Sequence, residues 1–466
     1  MNVGKKQLLT WCVLTKIRHT HRFRHGYSNR KALVNTTTED NQYERLAYCV
    51  TPFYRKPYDA QLKIKETILK TSLQKVINIV RHTRKAQYSP AVKKLDEEND
   101  GQFCSLVGVK PAPEIYGYRN KDEMSIGPDV TGNNRVVGLY VGKGRSGKVV
   151  CVSPKHLVIM KKKHVDIISA YQDFLDQSSY VKYGRSSTMG YWDSLVIRSS
   201  QQLDTMVTVM FRARQKSVDD YQEAREELCQ FFQQGPGSHL GVTSLYFRPS
   251  FHSYWSYSTA HHVMGSRHIY EEVLAHKFRI SPDSFFQTNT PAAEVLYSTI
   301  RDYVKQSGAA TVIDVCCGTG TIGILMADLV DDIIGIEIVK QATEDALFNA
   351  ENNGVTNAEF VCSKAHRFLR DELPQWKKSG STMAVINPGR NGINKKVVNA
   401  LRQCKEIHHL IYVSCKPSGN VLVNFADLIV PMSHKLEGEP FVPVEAVGVD
   451  MFPHTKHCEL VVMFNR

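Results

Sequence analysis

Three things are missing from this 466-residue sequence, and each absence excludes a class of protein. No apolar run reaches the ~18 residues that a helix needs to cross a bilayer, so no membrane partner is expected. The eleven cysteines are scattered from Cys12 to Cys458 with only Cys316 and Cys317 adjacent. That pattern contains neither a C-x-x-C metal pair nor the dense framework of a small disulfide-bonded domain, so reduced thiols and no metal are expected. Acid is missing at the start: no Asp or Glu precedes Glu39, while Lys5, Lys6, Lys16, Arg18, Arg22, Arg24, Arg30, Lys31 and three histidines accumulate. A basic, hydroxyl-bearing, acid-free leader over 1–38 has the signature of a mitochondrial transit peptide, which would deliver the protein to the matrix. The competing reading is a solvated basic tail that touches RNA.

What is present points to a globular protein of two or three domains, with 42 % hydrophobic residues available for cores. A net charge of +13 suggests a polyanionic partner, since Lys and Arg contacts to phosphates supply sequence-independent affinity; a merely basic soluble protein would carry the same charge. After the leader, 39–130 reads as a helical and loop region. Leu62, Ile68, Leu69, Leu73, Val76, Ile77 and Val80 recur at helical spacing between Asp59 and Ala86, and the polar, Pro/Gly/Asp-rich stretch 87–130 reads as loops. From 131 to 275, short apolar runs at Val136–Val141, Lys148–Val152, Leu195–Arg198 and Met206–Phe211 predict a mainly antiparallel sheet, with a helix from Ser217 to Gln234. Tyr191, Trp192, Tyr246, Tyr254, Trp255 and Tyr257 offer faces for stacking on unpaired bases or side chains for the core.

The last segment, 276–466, carries the chemistry. Thr311–Val315 is a short apolar strand that runs into Cys316-Cys317-Gly318-Thr319-Gly320 and then a helix at Thr321. Glycines in such a loop let a ligand approach the backbone, and the helix start offers N–H groups. A second strand, Ile333–Glu337, ends in an acid about twenty residues on, the spacing at which a carboxylate accepts from ribose hydroxyls. The half-site suits a nucleoside-containing cofactor, and S-adenosylmethionine is favoured over NAD. Met383–Ile386 stops at Asn387-Pro388-Gly389-Arg390, which puts Asn387 at the strand end where ligands sit in an open α/β sheet. Leu410–Ser414 ends at Cys415, where Lys416 beside it and the turn at Pro417 are expected to favour a thiolate. Gln287 and Asn289 immediately precede a helix that begins at Thr290-Pro291. His454-Thr455-Lys456-His457-Cys458-Glu459 precedes the final apolar strand.

Together these motifs resemble those of the RNA (uracil-5-)-methyltransferases over roughly residues 185–466, and the whole chain is similar to the family's vertebrate mitochondrial branch. The resemblance implies an α/β protein, with a Rossmann-like S-adenosylmethionine-dependent methyltransferase domain preceded by a smaller α+β domain that helps hold RNA. It implies cofactor contacts from Gln287, Cys316, Glu337 and Asn387, with Cys415 as nucleophile and Glu459 as base. The implied substrate is uridine in mitochondrial tRNA or small-subunit rRNA.

Three positions depart from the family pattern: Asn387-Pro388-Gly389-Arg390 stands for D-P-P-R, Lys416 follows the nucleophile in place of Asn, and Cys316 replaces a usual aromatic residue. Some bacterial relatives bind an iron–sulfur cluster through grouped cysteines, a spacing this chain lacks. Two other functions stay open. An RNA cytosine-C5 methyltransferase would commonly have a second cysteine in a Pro-Cys motif, where Pro388-Gly389 stands. A non-catalytic RNA-binding protein on a methyltransferase scaffold would be distinguished by loss of cofactor binding.

Overall fold

The computed structural model describes residues 37–83, 102–133, 135–142, 149–181, 191–212, 218–250, 259–376 and 380–466. The basic leader, up to residue 36, lies outside the described residues, as do Tyr254, Trp255 and Tyr257.

Helix α1 (Gln42–Val50) is followed by α2 (Tyr58–Thr83), the amphipathic helix that the apolar spacing predicts. Its stripe of Leu69, Leu73, Val76, Ile77 and Val80 is only 0–3 % exposed. Strand β1 (Ser105–Lys110) comes next, then β2 (Lys121–Gly127), β3 (Val136–Val141), β4 (Val150–Val152), α3 (Lys162–Gln177), β5 (Trp192–Ser199), β6 (Thr205–Arg212), α4 (Val218–Gln233), β7 (Ser244–Ser250) and β8 (His261–Gly265). A seven-stranded sheet forms in the order β4-β3-β2-β5-β6-β7-β8. It is antiparallel except between β6 and β7, where α4 supplies the crossover that a parallel pair requires. Its core takes in Trp192, whose ring meets Phe211 edge-on at 4.9 Å and whose Nε1 donates to Ser178 Oγ at 3.0 Å. Tyr246 is buried as well and donates to Arg267 O. Both aromatics belong to the packing, Trp192 in the core of this sheet and Tyr246 in the core shared with the second half of the chain.

Two strands stand where loops are expected within 87–130. β1 is a bulged edge strand whose period-2 pattern breaks at Gly108, φ +134, between Leu106 and Val109. β2 contains three charged residues and is held as a strand by its neighbours β3 and β5. In both, tertiary pairing overrides a weak local signal. The region expected as one unit over 39–130 is divided: α2 and β1 join the second sheet, while β2 joins the first.

The second half runs β9 (Ile269–Val273), β10 (His276–Ile280), α5 (Thr290–Ser307), β11 (Thr311–Val315), α6 (Thr321–Met326), β12 (Asp332–Glu337), α7 (Lys340–Asn352), β13 (Ala358–Cys362), β14 (Thr382–Ile386), α8 (Lys395–Gln403), β15 (Ile407–Ser414), α9 (Asn420–Ile429), β16 (Val442–Val449) and β17 (Glu459–Asn465). Asn289 caps α5 by accepting from Ala292 N at 3.3 Å, Pro291 sits in its first turn, and Gly308 at φ +63 ends it. The eight-stranded sheet has the order β1-β16-β17-β15-β14-β11-β12-β13. From β15 to β13 it is parallel, and its inner strands β14, β11 and β12 are buried on both faces, as continuous apolar runs such as Met383–Ile386 require, while the edge strand β13 is only partly covered. One face packs on α2, α8 and α9, the other on the β9–β10 hairpin, α5, α6 and α7.

Because Leu73 is buried in the core of the second sheet, α2 is part of that sheet's stability. Leu73→Ala should cost about 2–5 kcal/mol, read as a lower urea midpoint for unfolding. An unchanged midpoint would show that the helix is dispensable to the core.

Candidate active site

Parallel strands that lie side by side end side by side, so the residues just past them share one edge. β15, β14, β11 and β12 are consecutive parallel neighbours, and their ends deliver Cys415, Asn387, Cys316 and Glu337 in that order. β17 runs the other way. Its Leu460 pairs with Ser414, so Glu459, the first residue of β17, stands beside Cys415 although 44 positions separate them in the chain.

The glycine loop after β11 turns through three left-handed positions at alternate residues, Cys316, Gly318 and Gly320, with φ of +66, +57 and +77. A Cβ at Gly320 would meet the Phe360 ring at 2.9 Å, whereas one at Gly318 would meet nothing within 4 Å. The loop is therefore tight on its inner side and open on its outer side. Cys316 and Cys317 both donate their N–H to Ile336 O, at 2.9 and 3.1 Å.

Glu337 fastens the loop further, accepting from Gly318 N at 3.0 Å, Ile338 N at 2.7 Å and Val339 N at 2.9 Å. A carboxylate has about four lone-pair sites, so roughly one is left for a ligand. Ile338, next in the chain, is 59 % exposed and presents apolar surface beside it. Gly323 completes a G-x-G-x-x-G spacing with Gly318 and Gly320, so the glycines alone do not separate a dinucleotide from S-adenosylmethionine. Nor is the helix start as open as expected, because Asp314 Oδ2 accepts from Gly323 N at 2.9 Å.

Two acids near the strand ends, Glu459 and Asp314, are buried. Burial raises the Glu459 carboxyl from the ordinary 4.5 to about 8, and among the described residues its Oε2 has no hydrogen-bond partner. Burial likewise raises Asp314 to about 7, opposed by the Gly323 N–H and reinforced by Glu337. Its Oδ1 is also without a partner. Tyr297 of α5 links these groups, with its hydroxyl bonded to the Gln287 side chain and close enough to feel both carboxylates. Gln287 is thereby brought to the site from the segment before α5.

Cys415 corrects one expectation. Lys416 is exposed and does not activate it. The thiol is half-buried and pushed up to about 12, by burial first and then by Glu459, while Arg390 acts in the opposite direction by charge and hydrogen bond. The cation that favours the thiolate is thus Arg390, four residues past β14. Sequence reasoning quoted it only as part of a motif, and Asp314 and Tyr297 escaped it too. The signal for Arg390 was its place after the Asn-Pro-Gly turn, whereas Tyr297 reads as an ordinary core residue of α5.

Other candidates for the chemistry sit elsewhere. Cys317 and Cys458 are buried, and Cys458 Sγ donates to Val449 O at 3.3 Å. His454 Nδ1 is engaged with Gln61 Nε2 at 3.1 Å. Among the described residues no group of three or more His, Cys, Asp or Glu side chains is placed to hold a metal ion, and no helix is long and apolar enough to cross a membrane.

A carboxyl raised from 4.5 to about 8 on folding contributes stability in full below about pH 4.5, and that contribution is lost as pH rises through 8. Glu459→Gln, which cannot ionise, should therefore raise the unfolding temperature relative to the parent more at pH 9 than at pH 5. Equal shifts in calorimetry at the two pH values would place the carboxyl in water.

Comparison with known proteins agrees with this geometry. The family model described as tRNA (Uracil-5-)-methyltransferase matches residues 263–466. The chain is 40 % identical to tRNA (uracil-5-)-methyltransferase homolog B of Mus musculus, over 92 % of this chain and 87 % of that protein. It is 37 % identical to homolog A of Homo sapiens, over 91 % of this chain and 68 % of that one. The crystal structure of Pyrococcus abyssi tRNA (uracil-54, C5)-methyltransferase in complex with S-adenosyl-L-homocysteine superposes with a TM-score of 0.59 at 22 % identity, covering 88 % of this chain and 83 % of that one, and so shares the fold. Aligned over most of its length with relatives this similar, the chain belongs to the tRNA (uracil-5-)-methyltransferase family.

Proposed function

We propose that the protein methylates carbon 5 of a uridine in RNA, using S-adenosylmethionine and a covalent adduct between Cys415 and carbon 6. The observation that carries this reading is the Ser414–Leu460 pairing, which sets a thiol and a carboxyl against each other at the edge where the glycine loop opens. Carbon 5 of uracil is a poor nucleophile, because the ring is electron-poor. Cys415 thiolate adds to carbon 6, forming the S–C6 bond and pushing the ring's π electrons toward the carbonyl as an enolate. The cofactor supplies an electrophilic methyl group for carbon 5. Glu459 carboxylate then takes the carbon 5 proton, the C5=C6 bond re-forms, and Cys415 leaves as thiolate. The base must be out of its stack for these groups to surround it.

The residues fit the cofactor. Gly318 opens onto free space, Glu337 keeps a lone pair beside it for ribose hydroxyls, and Ile338 offers an apolar face. Gln287, Asn387 and the backbone at Cys316 would complete the contacts, and Asn387 can both donate and accept. Gly389, where a cytosine enzyme would have its second cysteine, carries no thiol, which favours uracil. Exposed Lys364, Arg367, Lys395, Lys396 and Lys416 crowd the same edge, a surface suited to phosphates. The substrate we assign is tRNA, with small-subunit rRNA as a second target of the same chemistry, and the seven-stranded module helps to hold it. The leader places the enzyme in the mitochondrial matrix.

Incubating Glu459→Gln with methyl-labelled cofactor and tRNA should leave labelled RNA attached to the protein through denaturation, and adding Cys415→Ala should remove that band. Free 5-methyluridine with no trapped species would assign the base elsewhere. Since Glu459 works ionised and titrates near 8, wild-type turnover should climb between pH 7 and 9, with the attached species more abundant at pH 6. A flat profile would detach the rate from this carboxyl.

A fluorescent reporter fused to residues 1–38 should enter mitochondria, and a diffuse cytosolic signal would leave those residues as an RNA-touching tail.

A further inference from the structure

Glu459 raises a question that its own surroundings do not answer. Burial alone accounts for its raised pKa, and among the described residues Oε2 has no hydrogen-bond partner. A carboxyl whose Oε2 nothing among the described residues grips is placed by its backbone. That backbone emerges from the loop 450–458, which joins β16 to β17 after their last paired residues, Val449 and Glu459.

The loop has bonds of its own, Phe452 N donating to Asp450 Oδ1 at 3.1 Å, Thr455 N to Phe452 O at 3.1 Å and His457 N to Thr455 Oγ1 at 3.1 Å, and it is tied from outside as well. Lys65 of α2 donates from Nζ to Asp450 Oδ1 at 2.5 Å and to Phe452 O at 2.9 Å. Tyr58 OH donates to Asp450 Oδ2 at 3.1 Å. Gln61, one turn before Lys65, accepts from His454 N at 2.8 Å and reaches His454 Nδ1 at 3.1 Å. His454 is a non-glycine residue at φ +65, a conformation that persists only where its surroundings impose it. The side chains of Lys65 and Asp450 are both 0 % exposed. A buried ion pair is weak evidence of stabilisation, because desolvation offsets the attraction and a hydrophobic pair of similar volume often does as well. What the pair does uniquely is fix direction: one ammonium ties the first residue of the loop and a carbonyl two residues on.

We propose that Lys65 is a positioning residue for proton removal, holding the loop through Asp450 and Phe452 so that Glu459 meets carbon 5 of the methylated adduct. The inference rests on the reading of Glu459 as the base. It separates the steps of the reaction. Cys415 and the glycine loop stand on other strands, so attack and methyl transfer do not depend on this tether, whereas transfer of the carbon 5 proton to Glu459, with re-formation of C5=C6 and departure of Cys415, does.

The test uses the full-length protein with methyl-labelled S-adenosylmethionine and tRNA. Lys65→Met should lower turnover roughly 10- to 100-fold, the range that misplacement on the order of 1 Å produces. The KM values for both substrates should stay within about twofold of the parent's, and a labelled, denaturation-resistant protein–RNA species should build up that Cys415→Ala eliminates. A purely structural role would slow every step together and leave no such species. Lys65→Met leaves Asp450 buried and unpaired, so Lys65→Met/Asp450→Leu is the second variant: removing both charges should recover the unfolding temperature while the adduct still accumulates. Full turnover by the double variant, or slowed turnover without adduct in either one, would overturn the proposal. Glu459→Gln run in parallel separates the two ideas, since its failure to trap would sink the base assignment, whereas trapping by it alone would sink only the role of Lys65.

Discussion

The site depends on one antiparallel pairing in an otherwise parallel neighbourhood. Parallel strands bring only their ends to the carboxyl edge, and each end can deliver the residue that follows it. β17, inserted between β15 and β16 in the opposite direction, brings a beginning. That is how Glu459 comes to face Cys415, and a one-residue slip in the pairing would turn the carboxyl to the other face of the sheet. The heavily buried strands on both sides make such a slip costly, because Val461 and Leu460 fill opposite cores.

Electrostatics follows from that placement. Buried as they are, Glu459 and Asp314 resist ionising, and Glu459 opposes the thiolate for as long as it is charged. In the reaction proposed above, a Glu459 that is largely protonated near neutral pH removes that opposition during attack, and Arg390 supplies the compensating positive charge. The same carboxyl must then be ionised for its own step. The pair therefore works in sequence, with the protonation state that suits one event unsuited to the next.

Much of the second half was legible in the sequence. Continuous apolar runs ending in Glu337, Asn387 and Cys415 announce buried parallel strands and the edge they share, and Asn289-Thr290-Pro291 announces α5 with its cap. The first half was harder. β2 is polar and β1 is bulged at Gly108, so each is a strand only because of partners far away in the chain. At the site, Lys416 was adjacent to Cys415 in sequence but is exposed, and Arg390 was distant in sequence but close in space. Adjacency along the chain is a poor guide at a strand end, where the backbone turns sharply. The buried bond between Lys65 and Asp450 was not legible at all: a lysine on an amphipathic helix reads as part of the solvated face, and 385 residues separate the partners.

That separation has a consequence for how the molecule is made. A ribosome delivers α2 and β1 early, yet β1 pairs only with β16, and the apolar stripe of α2 lies on α9. Throughout most of synthesis, Leu69, Leu73, Val76, Ile77 and Val80 form a sticky helix face with no native cover. The early seven-stranded module can complete its own hydrogen bonding up to β8, but the methyltransferase sheet closes only when nearly the whole chain has emerged, through contacts of very long sequence separation. Truncation near the carboxyl terminus would therefore strand an amino-terminal helix as well as remove Glu459.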